Sequence, residues 1–440
     1  MMKHILLPLA ALLISASLSA QNPVIRGQFS ADPTARVFDG KVWLFASHDI
    51  ISPVEPERRW FCMEDYHAFS SEDLVHWEDH GVILDQKDVP WGNPEGYSMW
   101  APDCVTRNGK YYFYFPDAPQ AGRGFGIGVA VADHPAGPYK AEEKPFPGVF
   151  GIDPCVLVAS DGNAYLYWSG MGFQGARLKD NMVELDGAPV RLDAGLPQGG
   201  LKEGPFIFER EGKFYLTYPW VQDRTECLVY AMADSPLGPF EYKGKIMEKS
   251  VNECWTNHHS FVEYQGQWYL FYHHNDYSPD FDKNRSVRID KVRFNPDGTI
   301  EQVTPTLRGV GVTPAAGPIQ MDRYSTICHL GAYLEFLDPS DPWQGWYILL
   351  SRPRTWVRYN EIDFGEKAPD YVRFRIRCGE KTRVTLQLGT EKPVGSFELP
   401  VVEDWAVIRL PLETEVTGVQ DIKIIVEAGG NLQVDWISFE

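Results

Sequence analysis

The sequence is short of what would make a disulfide scaffold, a membrane span or a partner for nucleic acid. Seven cysteines are scattered through 440 residues, with no C-x-x-C pair and no zinc-ligand spacing. Cys104 and Cys155 each fall inside an apolar strand, where a thiol is a small buried hydrophobe. The apolar run from Ile5 to Ile14 is ten residues long, half of the roughly twenty needed to span a bilayer, so no membrane insertion is expected. Basic charge is scarce: 41 Lys and Arg stand against 60 Asp and Glu, a formal charge of −19. That balance repels nucleic acid, anionic membranes and other polyanions, and a neutral partner fits better. Aromatic surface, by contrast, is plentiful, with 14 Trp, 21 Tyr and 24 Phe. Acidic, aromatic-rich and exported chains commonly handle neutral polysaccharide.

Export is read from residues 1–20, MMKHILLPLAALLISASLSA. Lys3 and His4 open it, the apolar run follows, and small residues lead to a cut near Ala20, the layout of a signal peptide. The mature chain is expected in the periplasm or outside the cell. Its length allows two or three domains.

A pattern of Gly-x-aromatic-apolar-aromatic recurs five times, at Gly40, Gly109, Gly162, Gly212 and Gly266, with spacings of 69, 53, 50 and 54 residues. A short apolar strand precedes each glycine: TARVF, DCVTR, PCVLV, PFIFE and SFVEY. The turns between read DG, NG, DG, EG and QG, a strong hairpin signal in the first three. Units of about fifty residues suit four-stranded blades. The fold class is therefore all-β, with a five-bladed β-propeller over residues 22–313.

A propeller stacks the first strand of each blade around its axis, so residues just before those strands converge at one mouth of the channel. There the five blades offer Asp32, the run Trp100-Ala101-Pro102-Asp103, Asp153, Glu203 and the pair His258-His259. Asp32, Asp153 and Glu203 are each followed by Pro or Gly. An Asp before Pro also starts turns, and one alone decides nothing. Three carboxyls at matching positions around one axis make a poor stability device, since each is partly desolvated. Two carboxyls across a glycosidic bond perform acid/base hydrolysis, and a third tunes the acid.

The stretches ADPTARVFDGKVWLFASHD, WAPD, GIDPCVLV and KEGPFIF resemble family 43 glycoside hydrolases along nearly the whole propeller. The resemblance implies an inverting hydrolase of arabinose- and xylose-containing plant polysaccharides. It makes Asp32 the general base, Asp153 the group that raises the acid's pKa and orients it, and Glu203 the general acid. An ionised Asp153 is expected to keep Glu203 protonated near neutrality, with base and acid roughly 6.5–9.5 Å apart to admit water. It also implies that His259 holds a cation, commonly calcium, through water, and that Arg285 contacts the substrate. Trp100 is a candidate sugar platform and Asp49 a pocket residue; Trp43 and Trp220 read as core.

After DKVRFNPDGTIEQV the repeat stops, and TPTLRGVGVTPAAGP reads as a linker. Residues 320–440 alternate in short strands without a helical period, as in a β-sandwich of jelly-roll type. WVRYNEIDFG, DWAVIRLPL, GVQDIKIIV and NLQVDWISF resemble family 6 carbohydrate-binding modules. The start IQMDRYS lacks that family's acidic opening and the loops are shortened, which puts its sugar site in doubt. Trp405, Trp343 and Asn431 are the candidates for such a site. A sandwich that packs on the propeller and supports the active site is the other reading.

The leading functional reading is release of terminal α-L-arabinofuranose or β-D-xylose from plant polysaccharides or oligosaccharides. The alternative is a non-catalytic carbohydrate-binding propeller, which would need a stacking surface but no matched acid and base. A protein-interaction scaffold would leave unrelated residues at the channel mouth.

Overall fold

The computed structural model describes residues 22–53, 60–250, 254–389 and 392–440; the leader expected over residues 1–20 lies outside them. Five sheets radiate from one axis. The first is β1 (Ala31–Phe38), β2 (Lys41–Asp49), β3 (Met63–Ser71) and β4 (Glu78–Asp85). The second is β5 (Asp103–Arg107), β6 (Lys110–Asp117), β7 (Gly126–Ala132) and β8 (Lys140–Ala141). The third is β9 (Ile152–Val158), β10 (Ala164–Gly170), β11 (Gly172–Arg177) and β12 (Val190–Arg191). The fourth is β13 (Phe206–Arg210), β14 (Lys213–Gln222), β15 (Thr225–Ala233) and β16 (Glu241–Met247), and the fifth is β17 (His259–Tyr264), β18 (Gln267–His274) and β19 (Ser286–Val292). In each blade, consecutive strands pair in order. The innermost strands β1, β5, β9, β13 and β17 touch their neighbours all the way round, and this ring makes the channel.

The repeat turns explain the hairpins. Asp39-Gly40, Asn108-Gly109, Glu211-Gly212 and Gln265-Gly266 all have φ between 50° and 78° at both residues, the type I′ geometry that matches strand twist. Glu and Gln thus occupy the same turn as Asp and Asn. The third blade differs: Val158 pairs with Ala164, so Asp161-Gly162 sits in a longer loop, braced by the Asp161 carboxylate accepting from the Asn163 N–H at 2.8 Å.

Between blades, apolar faces stack. Phe45, Tyr66 and Phe113 join blades one and two, Tyr114 and Leu166 join two and three, Tyr167, Phe208 and Phe261 run through three to five, and Leu44 and Phe271 join one and five. Residues 22–30 lie along β19 and close the ring: Val24 N–H donates to Val287 O at 2.9 Å, Ser30 N–H to Arg285 O at 2.9 Å, and the Asn22 side chain binds both Ile289 N–H and Ile289 C=O.

Twelve further strands between Thr313 and Phe439 form two six-stranded sheets packed face to face over a separate core that includes Tyr359, Phe374 and Ile424. Its first strand, Thr313–Pro314, lies within the stretch read as linker. The sandwich packs on blade five. Trp343 packs at a tilt on Phe29 (4.9 Å) and Tyr277 (4.6 Å), and Trp346 lies parallel to Tyr277 at 5.2 Å. Trp343 is therefore a junction residue. Trp405 sits apart from it, against Tyr347 and the guanidinium groups of Arg375 and Arg377, while Asn431 is an exposed turn residue with φ of 48°. Trp43 is buried core and Trp220 packs partly buried against the core. The described cysteines are free thiols, with Cys104 and Cys155 buried, and no described helix is long and apolar enough to cross a membrane.

Deep in the channel, Asp103 accepts from Arg36 Nε (3.0 Å), Thr34 Oγ1 (2.7 Å) and Val156 N–H (2.7 Å). Arg36 also donates to Val156 O and lies over the Phe206 ring. One ion pair thus ties four blades together. Asp103→Ala leaves a partly buried guanidinium and two buried donors without their carboxylate, and should destabilise the chain by about 2–4 kcal/mol, seen as a lower urea midpoint.

Candidate active site

The residues that lead into the five innermost strands do meet. Asp32, Trp100, Asp153, Glu203, Thr256 and His258 all line one cavity of ≈ 170 Å³. Asp32 and Asp153 arrive there by the same local device. Each sits beside a register shift in its first strand, with φ of 50° and 55°, and each precedes a proline. A bulge of this kind re-aims a side chain out of the alternation of the strand. Each carboxylate then accepts from a serine seven residues beyond its blade's repeat glycine: Ser47 Oγ at 3.2 Å from Asp32 and Ser169 Oγ at 3.1 Å from Asp153. Glu203 is delivered differently. The residue after it, Gly204, has φ of +56°, and a Cβ there would lie 2.9 Å from His258 Nδ1. The Gly204 N–H donates to Asp153 at 2.9 Å, so the backbone that carries Glu203 is pinned to the neighbouring blade.

Arg285 is the centre of the polar network. Its Nε and Nη2 donate to Asp49, at 2.9 Å each, while Nη1 and Nη2 donate to Asp32 at 2.7 and 3.1 Å, and Nη1 also reaches Thr256 Oγ1 at 3.3 Å. A guanidinium has five N–H donors, and all are taken. Arg285 forms part of the cavity wall, with its N–H donors on the carboxylates. Asp49 stands behind it. It is 1% exposed, does not line the cavity, and uses its oxygens to hold Arg285, including its backbone N–H at 2.8 Å.

His273 completes the support of Asp32. Its Nδ1 accepts from the Asp32 N–H at 3.0 Å, so the ring proton is on Nε2 and is donated to Thr256 Oγ1 at 3.0 Å. Burial, with Arg285 nearby, holds this imidazole well below its ordinary pKa, and it stays neutral.

Glu226, at the start of β15, was not among the expected site residues. It is 1% exposed, its Oε2 accepts from Asn257 N–H at 2.7 Å, and its Oε1 is buried without a hydrogen-bond partner among the described residues. Burial first, then the charge of Glu203, lifts Glu226 well above the usual carboxyl range, so it keeps its proton. Burial raises Glu203 too, Glu226 opposes this, and the negative charge of Asp32 adds to it. Asp153 is pushed up to about 7, by burial first, with His258 opposing and Glu203 adding. Asp153 and Glu203 thus interact through their charges, and Asp32 adds its own to Glu203. The one sequence signal for Glu226 is a carboxyl heading an apolar strand, TECLVYAMA.

Aromatic rings cover the mouth. Phe61 and Trp255 are stacked at 5.7 Å, Trp60 lies 6.1 Å from Trp255, and Trp100 stands edge-on to Phe61 at 6.2 Å. Of these only Trp100 was expected. His259 is in the core below, fully buried. Thr217 donates its hydroxyl proton to Phe206 O, so its oxygen accepts from His259 Nε2–H at 2.7 Å. The His259 Nδ1 lone pair then has no partner among the described residues. That orphan fits a water bound to a cation.

The sequence profile of Glycosyl hydrolases family 43 matches residues 20–300, most of the chain. The chain belongs to family 43. It is 35% identical over 332 residues to a xylosidase/arabinosidase of Humicola insolens, covering 64% of this chain and 99% of that protein. A solved family 43 β-xylosidase/α-arabinofuranosidase from a compost metagenome, in complex with xylotriose and in a calcium-free form, is 34% identical, with a TM-score of 0.59 over 65% of this chain and 97% of its own. An arabinoxylan arabinofuranohydrolase of Bacillus subtilis, 22% identical with a TM-score of 0.54, covers 97% of this chain and 99% of its own, so the fold match extends through the sandwich.

The raised pKa of Asp153 has a stability consequence. Unfolding releases its proton between about pH 4 and 7, so the stability this group contributes is present below its unfolded pKa and lost as pH rises through about 7. Asp153→Asn keeps an acceptor for Ser169 and Gly204 without the charge. It should unfold at higher urea than the parent at pH 8, by an amount on the order of 2–4 kcal/mol, with the gain vanishing near pH 4.

Proposed function

We propose that this family 43 protein is an exo-acting, inverting glycosidase that releases terminal β-D-xylose or α-L-arabinofuranose from plant polysaccharide side chains or oligosaccharides. One observation carries the reading: three carboxyls from three blades share a cavity of ≈ 170 Å³. Drug-sized pockets run about 300–1,000 Å³; this one is scaled to a single sugar ring, which favours action at a chain end. The aromatic mouth suits the apolar face of the next sugar.

In this reading Glu203 gives its proton to the glycosidic oxygen as the C–O bond breaks. Asp32, held from one side by Arg285 and from the other by Ser47, takes a proton from the water that attacks the anomeric carbon on the opposite face. Asp153 holds the Gly204 backbone and so orients Glu203. Glu226, buried at the cavity wall, keeps its own proton under the charge of Glu203. His259 would hold calcium through water; when bound, the cation supplies positive charge within the channel. The leader supports export, to the periplasm or beyond. A non-catalytic sugar binder would have no use for a buried carboxyl pair that retains its proton.

Glu203→Gln should lower kcat on xylo- or arabino-oligosaccharides by about 10²–10⁴, and much less on nitrophenyl glycosides, whose leaving group needs little protonation. NMR of the first product should show the inverted anomer; the retained anomer would refute the mechanism.

A further inference from the structure

Blade one carries a second set of ligand atoms on its other face. Ser47 and Asp49 turn toward Asp32 and Arg285, and His48, between them, points the opposite way. Asp65 and His67 on β3 point to that same face. One ligand atom from each of His48, Asp65 and His67 lies within 4.8 Å of the other two. His48 Nδ1 is 3.0 Å from Asp65 Oδ1, and His67 Nε2 is 3.7 Å from the same oxygen. Around a tetrahedral ion with bonds of about 2.0–2.1 Å, ligand atoms stand roughly 3.3 Å apart, between the two observed spans.

A second carboxylate orients the site. His67 Nδ1 is 3.1 Å from Asp79 Oδ1, so the neutral ring gives its proton to Asp79 and turns the Nε2 lone pair on Asp65. A lone pair and a carboxylate oxygen face each other there. A proton or a metal cation between them removes the repulsion, and a carboxylate behind a ligating imidazole is the usual outer partner at zinc centres. The side chains are sheltered but reachable, at 23% exposure for His48, 12% for His67 and 9% for Asp65. Blades one and five pack around Ala46 and Phe69, one turn of the strand alternation away.

We propose that His48, Asp65 and His67 bind a divalent transition metal of the zinc class, with water in the remaining position. Two imidazoles and one carboxylate select such ions over calcium, which takes oxygen ligands. The ion clasps β2 to β3 at the strand end that carries Asp49, and it is separate from any cation at His259.

The test is zinc titration of the chelator-stripped, tag-free full chain in millimolar calcium, by calorimetry and by metal counting after dialysis. About one zinc per chain is expected, absent in His48→Gln and in His67→Gln, with affinity weakened about 10–100-fold in Asp79→Asn. Cobalt in place of zinc should give the visible absorption of a four-coordinate ion, also lost in both glutamine variants. Near-UV circular dichroism screens each variant for native packing, and any one that misfolds leaves the other and Asp79→Asn to carry the result. Failure of the parent to bind zinc overturns the proposal. So does unchanged binding in the natively packed glutamine variants, or binding abolished by Glu203→Gln instead, which would place the ion in the channel.

Discussion

A guanidinium buried between two carboxylates governs the geometry of this protein's centre. Arg285 is 2% exposed and spans Asp32 on one strand end and Asp49 on another. Its own desolvation is offset by those charges, which raise its pKa above the ordinary arginine value. Pairing a buried charge with fully used donors is the condition under which such a charge is tolerated at all. The arrangement adds rigidity as well as compensation. Asp32 is held by Arg285, by Ser47 and, through its backbone, by a neutral His273, so its side chain has one place to be. In the proposed mechanism, where Asp32 is the base that activates water, that restriction fixes its angle of approach.

The same centre carries local strain. Asp32 and Asp153 adopt left-handed backbone conformations that cost non-glycine residues of order 1 kcal/mol or more, and both do so at matching bulges next to proline. Two repeats of one strained device, each ending in a carboxylate aimed at a cavity, mark where the fold trades stability for chemistry. The buried pair Glu203 and Glu226 is a third instance. Like-charged groups with desolvated carboxyls retain a proton because ionising both is unfavourable, and a retained proton is what a general acid needs.

Much of this was legible because a propeller turns sequence period into spatial convergence. Once Gly40, Gly109, Gly162, Gly212 and Gly266 set the phase, the residues before each innermost strand had one destination, and Asp32, Asp153, Glu203 and Trp100 reach it. Glu226, Phe61 and Trp255 were hidden for the same reason. They come from outer-strand starts and from connections of unequal length, which bear no fixed offset from the repeat glycine. Arg285 was found through resemblance, but its work could not be read from a motif. Whether an arginine faces a sugar or an aspartate depends on which carboxylates the other blades bring within 3 Å. Asp49 shows the converse: a residue beside the mouth in sequence turns inward because Arg285 takes all its oxygens. Likewise Asp103, at the end of WAPD, goes to Arg36 and holds blades together.

The sandwich bears on the centre through blade five. That blade is where the ring closes, and the closure rests on hydrogen bonds between residues 22–30 and β19 rather than on a continuous strand pair. Arg323 of the sandwich donates to Asn22 O and to the Tyr277 hydroxyl, while Trp343 and Trp346 pack on Tyr277 and Trp343 also on Phe29. One surface thus grips the start of the closing segment and the β18–β19 connection, which runs directly into Arg285. Slack in either would be transmitted to the guanidinium and from it to Asp32. Meanwhile Trp343, one of the three residues that would have marked a sugar site, is spent in this junction. The physical work visible in the sandwich is therefore to hold the seam of the ring, so that a network of short, directional bonds a strand away keeps its register.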